Sequence, residues 1–284
     1  MITINDKVKS LLFWVFAILF TMGIAAYQRA TGPTYPVSGE SHIMGETIHY
    51  RLLRSHNTGS NAPVVIPAPE NENTEGFFIY RRYQSHDQWD TIAMERSNDT
   101  LRAEIPKQPP AGKVQYNVIL KTTDKLTPLE ETPVILRYKG KVPALFLIPH
   151  IILMFLAMLF STRAGLEALI KGKNTYLYTI LTLITLIGGG LILGPVIQKY
   201  AFGQYWTGWP VSNDLTDNKT LIIFIFWAIA FMVQRKNKKR KAWTIVASAM
   251  LIAVYLIPHS VMGSEIDWKE QQAAEKEKNQ QIQT

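Results

Sequence analysis

The sequence predicts an integral membrane α-helical bundle of about five transmembrane helices, with an inserted all-β domain on the extracytoplasmic side. Three observations predict it. Long apolar runs flank a polar insert, so residues 30–142 read as a soluble domain while most of 143–260 is apolar. The insert alternates in period two between turn signals. Basic residues collect at the ends of alternate apolar runs.

The first apolar run is Leu11 to Tyr27, behind Lys7 and Lys9. Its length sits near the lower limit for a span and above that of a signal-peptide core. Residues 1–29 are therefore read as an uncleaved anchor, although Gly23-Ile24-Ala25 also matches a weak cleavage pattern. In either case the segment that follows is exported.

Residues 30–142 hold six runs that read as strands: Thr47–Leu53, Gly76–Tyr83, Trp89–Met94, Thr100–Ile105, Val114–Lys121 and Pro133–Tyr138. Breakers such as Ser97-Asn98-Asp99 and Pro109-Pro110-Ala111-Gly112 separate them. Short strands at this spacing suggest a β-sandwich. The order Tyr80-Arg81-Arg82, Trp89, Met94, Leu101 to Pro106, then Gly112 to Tyr116 resembles part of an immunoglobulin or fibronectin type III domain. His42, His49, His56 and His86 are scattered over it and are read as surface or strand residues.

Residues 143–260 are read as a four-helix transmembrane domain. Its runs are Ala144 to Phe160, Tyr176 to Ile197, Thr220 to Val233 and Ala242 to Ile257. Gly188-Gly189-Gly190 in the second run admits another backbone or a flat ligand at close range. An outer loop over 198–219 carries Tyr200, Tyr205, Trp206 and Trp209, then Asp214 and Asp217. Thr216 or Asp217 reads as the N-cap of the following helix. Residues 261–284 form a polar extracytoplasmic tail, read as a solvated helix or as disordered.

Charge sets the expected orientation. The chain has a formal net charge of +8, and six of its bases fall at Arg235, Lys236, Lys238, Lys239, Arg240 and Lys241. With five spans, this cluster shares one side with Lys7, Lys9, Arg163, Lys171 and Lys173. That side is cytoplasmic by the excess of bases in short cytoplasmic loops. The protein is accordingly expected in the inner membrane as a multi-pass chain, with the β-domain, aromatic loop and tail in the periplasm. A basic loop between two spans points to the lipid bilayer rather than to nucleic acid.

The absence of cysteine excludes disulfides, thiolate metal sites, thiol catalysis and covalent c-type haem attachment within this chain. No catalytic signature such as G-x-S-x-G, H-E-x-x-H, a P-loop or G-x-G-x-x-G is present. The expectation is therefore a binding protein rather than an enzyme.

Leu-Ile-Pro-His occurs twice, ending at His150 and at His259, one on each side of the aromatic loop. Two imidazoles at similar depth with flat rings between them suit a bis-imidazole haem site. Ligation also explains polar side chains at membrane depth. Gly203-Gln204-Tyr205-Trp206, then Trp209, Asp214, Asp217, Lys219, Leu221-Ile222 and Trp227 resembles the tryptophan-rich WWD segment of the haem-handling membrane proteins of cytochrome c maturation. The resemblance implies a haem b held by His150 and His259 against Tyr205, Trp206 and Trp209. It covers about thirty residues; the Asp-Pro-Lys-Glu of that family is missing, and the β-domain is foreign to it.

Other readings of the same residues stay open. Tyr205, Trp206 and Trp209 also suit an interfacial aromatic belt. His150 also suits a hydrogen bond to a neighbouring helix. His150, His259, Asp214 and Asp217, with Glu265 or Asp267, have the donors for a single zinc, copper or iron ion. The expected function is a haem-binding or haem-handling protein, or the cytochrome-like subunit of an electron-transport complex. The alternative is a scaffold subunit without a cofactor, holding exported or membrane protein partners through the β-domain.

Overall fold

The computed structural model describes residues 5–43, 45–68, 74–123, 125–211, 214–258 and 265–282. The chain divides into two compact units. One is helical and comprises 1–33, 142–200 and 204–263. The other is β-rich and comprises 34–141, 201–203 and 264–284.

In the helical unit, α1 runs Asp6–Thr31, and the Asn5 side chain caps it by accepting from the Lys7 amide at 3.0 Å. Helix α2 runs Ala144–Leu169 and α3 runs Thr175–Leu186. A π-helical segment, Ile187–Leu193, leads without a break into α4, Gly194–Phe202. Helices α5 and α6 run Leu215–Lys236 and Ala242–Leu256. Among the described residues, four stretches are long and apolar enough to cross a membrane: α1, α2, the continuous helix Thr175–Phe202, and α5. The fifth expected span forms the 15-residue α6. At 1.5 Å per residue it is about 22 Å long, short of the roughly 30 Å hydrocarbon core.

Helix α2 is the hub, packing on α1, α3, the π segment and α6. Trp227, Leu186, Ala157, Ala230, Ala247 and Leu251 are fully buried at the centre. Small residues let α2 and α6 close up. A Cβ added to Gly165 would stand 2.9 Å from the Ser248 Cβ, and the Ser248 hydroxyl donates to the Ser161 carbonyl at 3.0 Å.

Helix α2 runs nine residues past Phe160, where its apolar run ends. Arg163 does not lie in a loop. It is buried and pairs with Glu167 one turn on at 2.6 Å, with its guanidinium 4.8 Å from the Tyr178 ring and 5.6 Å from the Trp14 ring. A carboxylate and aromatic faces around the cation remove the reason for the helix to stop there.

In the β-rich unit the six expected runs become β2 (Glu46–Leu52), β5 (Glu75–Arg82), β6 (Asp90–Ala93), β8 (Thr100–Ile105), β9 (Lys113–Lys121) and β11 (Val134–Lys139). Five strands were not expected: β1 (Val37–Ile43), β3 (Ser55–Asn57), β4 (Ala62–Pro67), β7 (Glu95–Ser97) and β10 (Leu126–Pro128). Strand β4 carries Pro63 and Pro67, which argue against a central strand; it lies at the edge of its sheet, where proline is tolerated.

The sheets are a β1-β2 hairpin, a β4-β8-β7 sheet, and a larger sheet ordered β3-β11-β9-β5-β6 with β10 on β9. Among the described residues all pairings are antiparallel except β3 with β11. The three sheets bury one core, in which Leu52, Ile66, Phe78, Leu101, Tyr116, Leu136 and Tyr138 are nearly inaccessible. The polar tail adds α7, Trp268–Ile282, to this unit. Trp268 is buried, with the Arg82 guanidinium 4.6 Å from its ring.

Candidate functional site

The loop between α4 and α5 is clamped by buried polar side chains. Asp214, not Thr216 or Asp217, is the N-cap of α5, accepting from the Thr216 amide at 2.7 Å. Asp217 sits in the first turn of the helix and reaches back to the loop. Its carboxylate accepts from the Thr207 amide at 2.6 Å and the Thr207 hydroxyl at 3.3 Å. Gln198 of α4 donates to the same hydroxyl oxygen at 2.5 Å, and the Asp214 amide donates to the Thr207 carbonyl at 2.9 Å. The Asn218 side chain takes the Trp209 amide at 2.6 Å. Both aspartates named as metal candidates therefore act as cap and staple. Among the described residues, no group of three or more His, Cys, Asp or Glu side chains is arranged to hold a metal ion.

His150 lies in α2, six residues from its start, and is half-buried. Its Nδ1 is 2.9 Å from the Gly189 carbonyl oxygen. A carbonyl has no hydrogen to give, so Nδ1 donates. The neutral ring then carries its lone pair on Nε2. The partner comes from the π segment, where the Gly189 carbonyl also accepts the Gly194 amide. This is the helix-to-helix bond left open for His150, and it also orients a ring that could ligate through Nε2.

The glycine triplet is used by backbone approach. A Cβ on Gly189 would stand 2.9 Å from the Leu153 Cβ, and one on Gly190 would stand 2.8 Å from the Thr220 Cγ2. The π segment is thus pressed between α2 and α5.

Lys219 is the residue whose role the sequence concealed. It is 5 % exposed, and its ammonium donates to the Ile257 carbonyl at 3.1 Å and the Pro258 carbonyl at 3.2 Å. A lysine in the first turns of an apolar helix was the available signal, since a buried ammonium needs acceptors. The Tyr255 hydroxyl also bonds to the Met154 carbonyl at 3.3 Å, joining α6 to α2 one turn beyond His150. His259 itself lies outside the described residues.

The aromatic candidates part company. Trp206 and Trp209 meet, the Trp206 indole donating to the Trp209 carbonyl at 3.2 Å. The side chains of Tyr205 and Trp209 point outward, at 60 % and 67 % exposure. Lys199 lies over the Tyr205 ring at 5.3 Å. Among the described residues no hydrogen bond or ring contact joins Tyr205, Trp206 or Trp209 to His150.

The β-rich unit has its own polar cluster. The Arg82 guanidinium donates to both oxygens of Asp87, at 2.5 and 2.8 Å, and Gln272 of α7 adds a third bond at 2.8 Å. The Arg82 bonds hold the Asp87 carboxyl down at about 2. Desolvation, followed by the bond to Asp90, pushes the Tyr80 hydroxyl up to about 12. His42 and His56 bond to the hydroxyls of Thr47 and Ser60, and His49 lies 3.8 Å from Glu40. In comparisons with known proteins, no family model, curated protein or solved structure matches this chain.

Proposed function

We propose that the chain is a membrane-anchored haem-binding protein. His150 and His259 would hold a haem b, and the clamped loop of Tyr205, Trp206 and Trp209 would border it. One observation carries the reading: direct contacts run from His150 to the residue before His259. His150 bonds to Gly189, Gly190 abuts Thr220, and the adjacent Lys219 bonds to Pro258. The Tyr255–Met154 bond closes the same circuit between α6 and α2.

Bound iron would supply one-electron chemistry or a cargo for transfer. The residues of this chain would bind, orient and shield it. Gly189 holds the His150 ring in place and fixes which nitrogen faces away. Asp217 and Asn218 brace the loop through the Thr207 and Trp209 amides. The base-rich ends of alternate helices support a location in the inner membrane, with the loop and β-rich unit on the outer side.

The test is an optical spectrum of the full chain purified in detergent after expression with ample haem. A Soret band is expected in wild type and is expected to be lost in His150→Ala and His259→Ala. A wild-type protein with no chromophore, or a band that survives both substitutions, defeats the haem reading.

The β-rich unit favours a second reading, a scaffold subunit. The order β3-β11-β9-β5-β6 beside β4-β8-β7, with β3 parallel to β11, supports an immunoglobulin-like sandwich. Among the described residues strand β6 is an exposed edge that pairs on one side only, and Trp89 and Ile92 stand exposed at it. Such an edge can accept a partner strand. Co-purification of other subunits lost on Ile92→Lys, from a chain without a chromophore, selects this reading.

A further inference from the structure

The helical unit holds a cavity of about 790 Å³ at the end where α2 and α5 finish and α6 begins. It is far from the circuit at His150 in the sequence, since its walls come from residues 168–171 and 233–245. Four bases line it: Lys171, Lys239, Arg240 and Lys241. No carboxylate does.

The charges are largely uncommitted. Lys241 gives its ammonium to the Gly172 carbonyl. Among the described residues, Lys171, Lys239 and Arg240 make no ion pair. The one acid close in sequence, Glu167, is already held by Arg163 and by the Asn174 amide. Carbonyls at the ends of α2 and α5 offset part of the charge, but they are dipoles against whole charges. A cavity of this size walled by bases without ion-pair partners presents a positive field that attracts an anion.

The rest of the lining says which anion. Leu169 is 62 % exposed and Trp243 is 40 % exposed, both beside the bases on helices with apolar surfaces. A soluble anion gains nothing from that apolar wall. An amphiphile with an acidic head gains both terms.

We infer that this cavity binds the phosphate headgroup of an anionic lipid. Lys171, Lys239 and Arg240 contact the phosphate, and the acyl chains lie along Leu169 and Trp243. Basic pockets between membrane helices select such lipids, and phosphate suits a guanidinium. The site is independent of the haem reading, and its occupant needs no cofactor.

Native mass spectrometry of the full chain in detergent tests it, with added phosphatidylglycerol, phosphatidylcholine or free glycerol 3-phosphate. Phosphatidylglycerol is expected to be retained at least tenfold more strongly than phosphatidylcholine. The triple variant Lys171→Gln, Lys239→Gln, Arg240→Gln should lose that preference, about fivefold per base. All three positions are exposed, so the variant is expected to fold. Arg235→Gln with Lys236→Gln removes two nearby bases that do not line the cavity. That pair should leave binding unchanged. Equal retention of both lipids, or a triple variant that binds as wild type, overturns the site. An equal loss in the Arg235 and Lys236 variant means diffuse attraction and also overturns it. Glycerol 3-phosphate held as tightly as phosphatidylglycerol overturns the lipid and leaves a soluble phosphate.

Discussion

Lys219 ties the end of α6 to the start of α5, its ammonium on the carbonyls of Ile257 and Pro258. Both carbonyls lie just past the end of α6, where no further helical turn supplies a donor. Lys219→Met keeps the bulk and removes the donor. The expected cost is about 1–3 kcal/mol, the penalty for stranding buried acceptors. Thermal unfolding in detergent checks it, and an unchanged midpoint would show that the tie is dispensable.

Arg163 and Glu167 form a buried pair, with side chains only 2 % and 7 % exposed. Glu167→Gln leaves an uncompensated cation and should cost about 3 kcal/mol or more. Replacing both residues, as Arg163→Met with Glu167→Leu, should recover most of that loss. A double-mutant cycle over Arg163→Met, Glu167→Leu and the pair measures the coupling; a double-variant loss equal to the sum of the two single losses would mean that the pair is not coupled.

Gly189 has no room for a side chain, with Leu153 2.9 Å from where its Cβ would be. Gly189→Val is expected to destabilise the helical unit by about 1–3 kcal/mol through overpacking. It should also displace the carbonyl that orients His150. The imidazole Nδ1 signal in nitrogen NMR reports that second effect separately from stability.

The tail helix is fastened by Trp268, which is buried in the β-rich unit. Removing a buried tryptophan ring costs about 3 kcal/mol. Trp268→Ala should therefore speed tryptic cleavage at Lys269 by on the order of a hundredfold. Cleavage at the wild-type rate would place the anchor elsewhere.

Asp87 sets a pH dependence of known sign. Its carboxyl is lowered to about 2 by the Arg82 guanidinium. A lowered carboxyl stabilises the folded state above the unfolded value of about 3.9 and loses that contribution as pH falls toward about 2. The pair is partly exposed, at 35 % and 26 %, so the gain is below about 1 kcal/mol and screened by salt. The wild-type melting temperature should exceed that of Asp87→Asn at pH 6 and converge on it near pH 2. A gap that does not narrow over that range counts against the assignment.

What was legible in the chain follows from period and charge. Alternation in runs such as Val114–Lys121 announces a strand because successive side chains face opposite sides. Strand β1 escaped because Val37–Ile43 is mostly polar, and β4 because its prolines are acceptable only at an edge. Apolar runs located all five helices of the bundle. Their ends were misjudged at Arg163, where a partner four residues on cancels the cost of the charge.

The candidate site was legible as a list of residue types and not as an arrangement. Sequence alone determined where the β-rich insert lies, which stretches are apolar enough for a membrane, and that His150 sits within such a stretch. Tertiary structure decided that Asp214 and Asp217 serve the backbone, that Gly189 holds the His150 ring, and that Lys219 reaches Pro258. Period and hydropathy are properties of neighbours along the chain. A hydrogen bond between residues 39 apart, such as His150 to Gly189, depends on how two helices pack, and no local pattern encodes that.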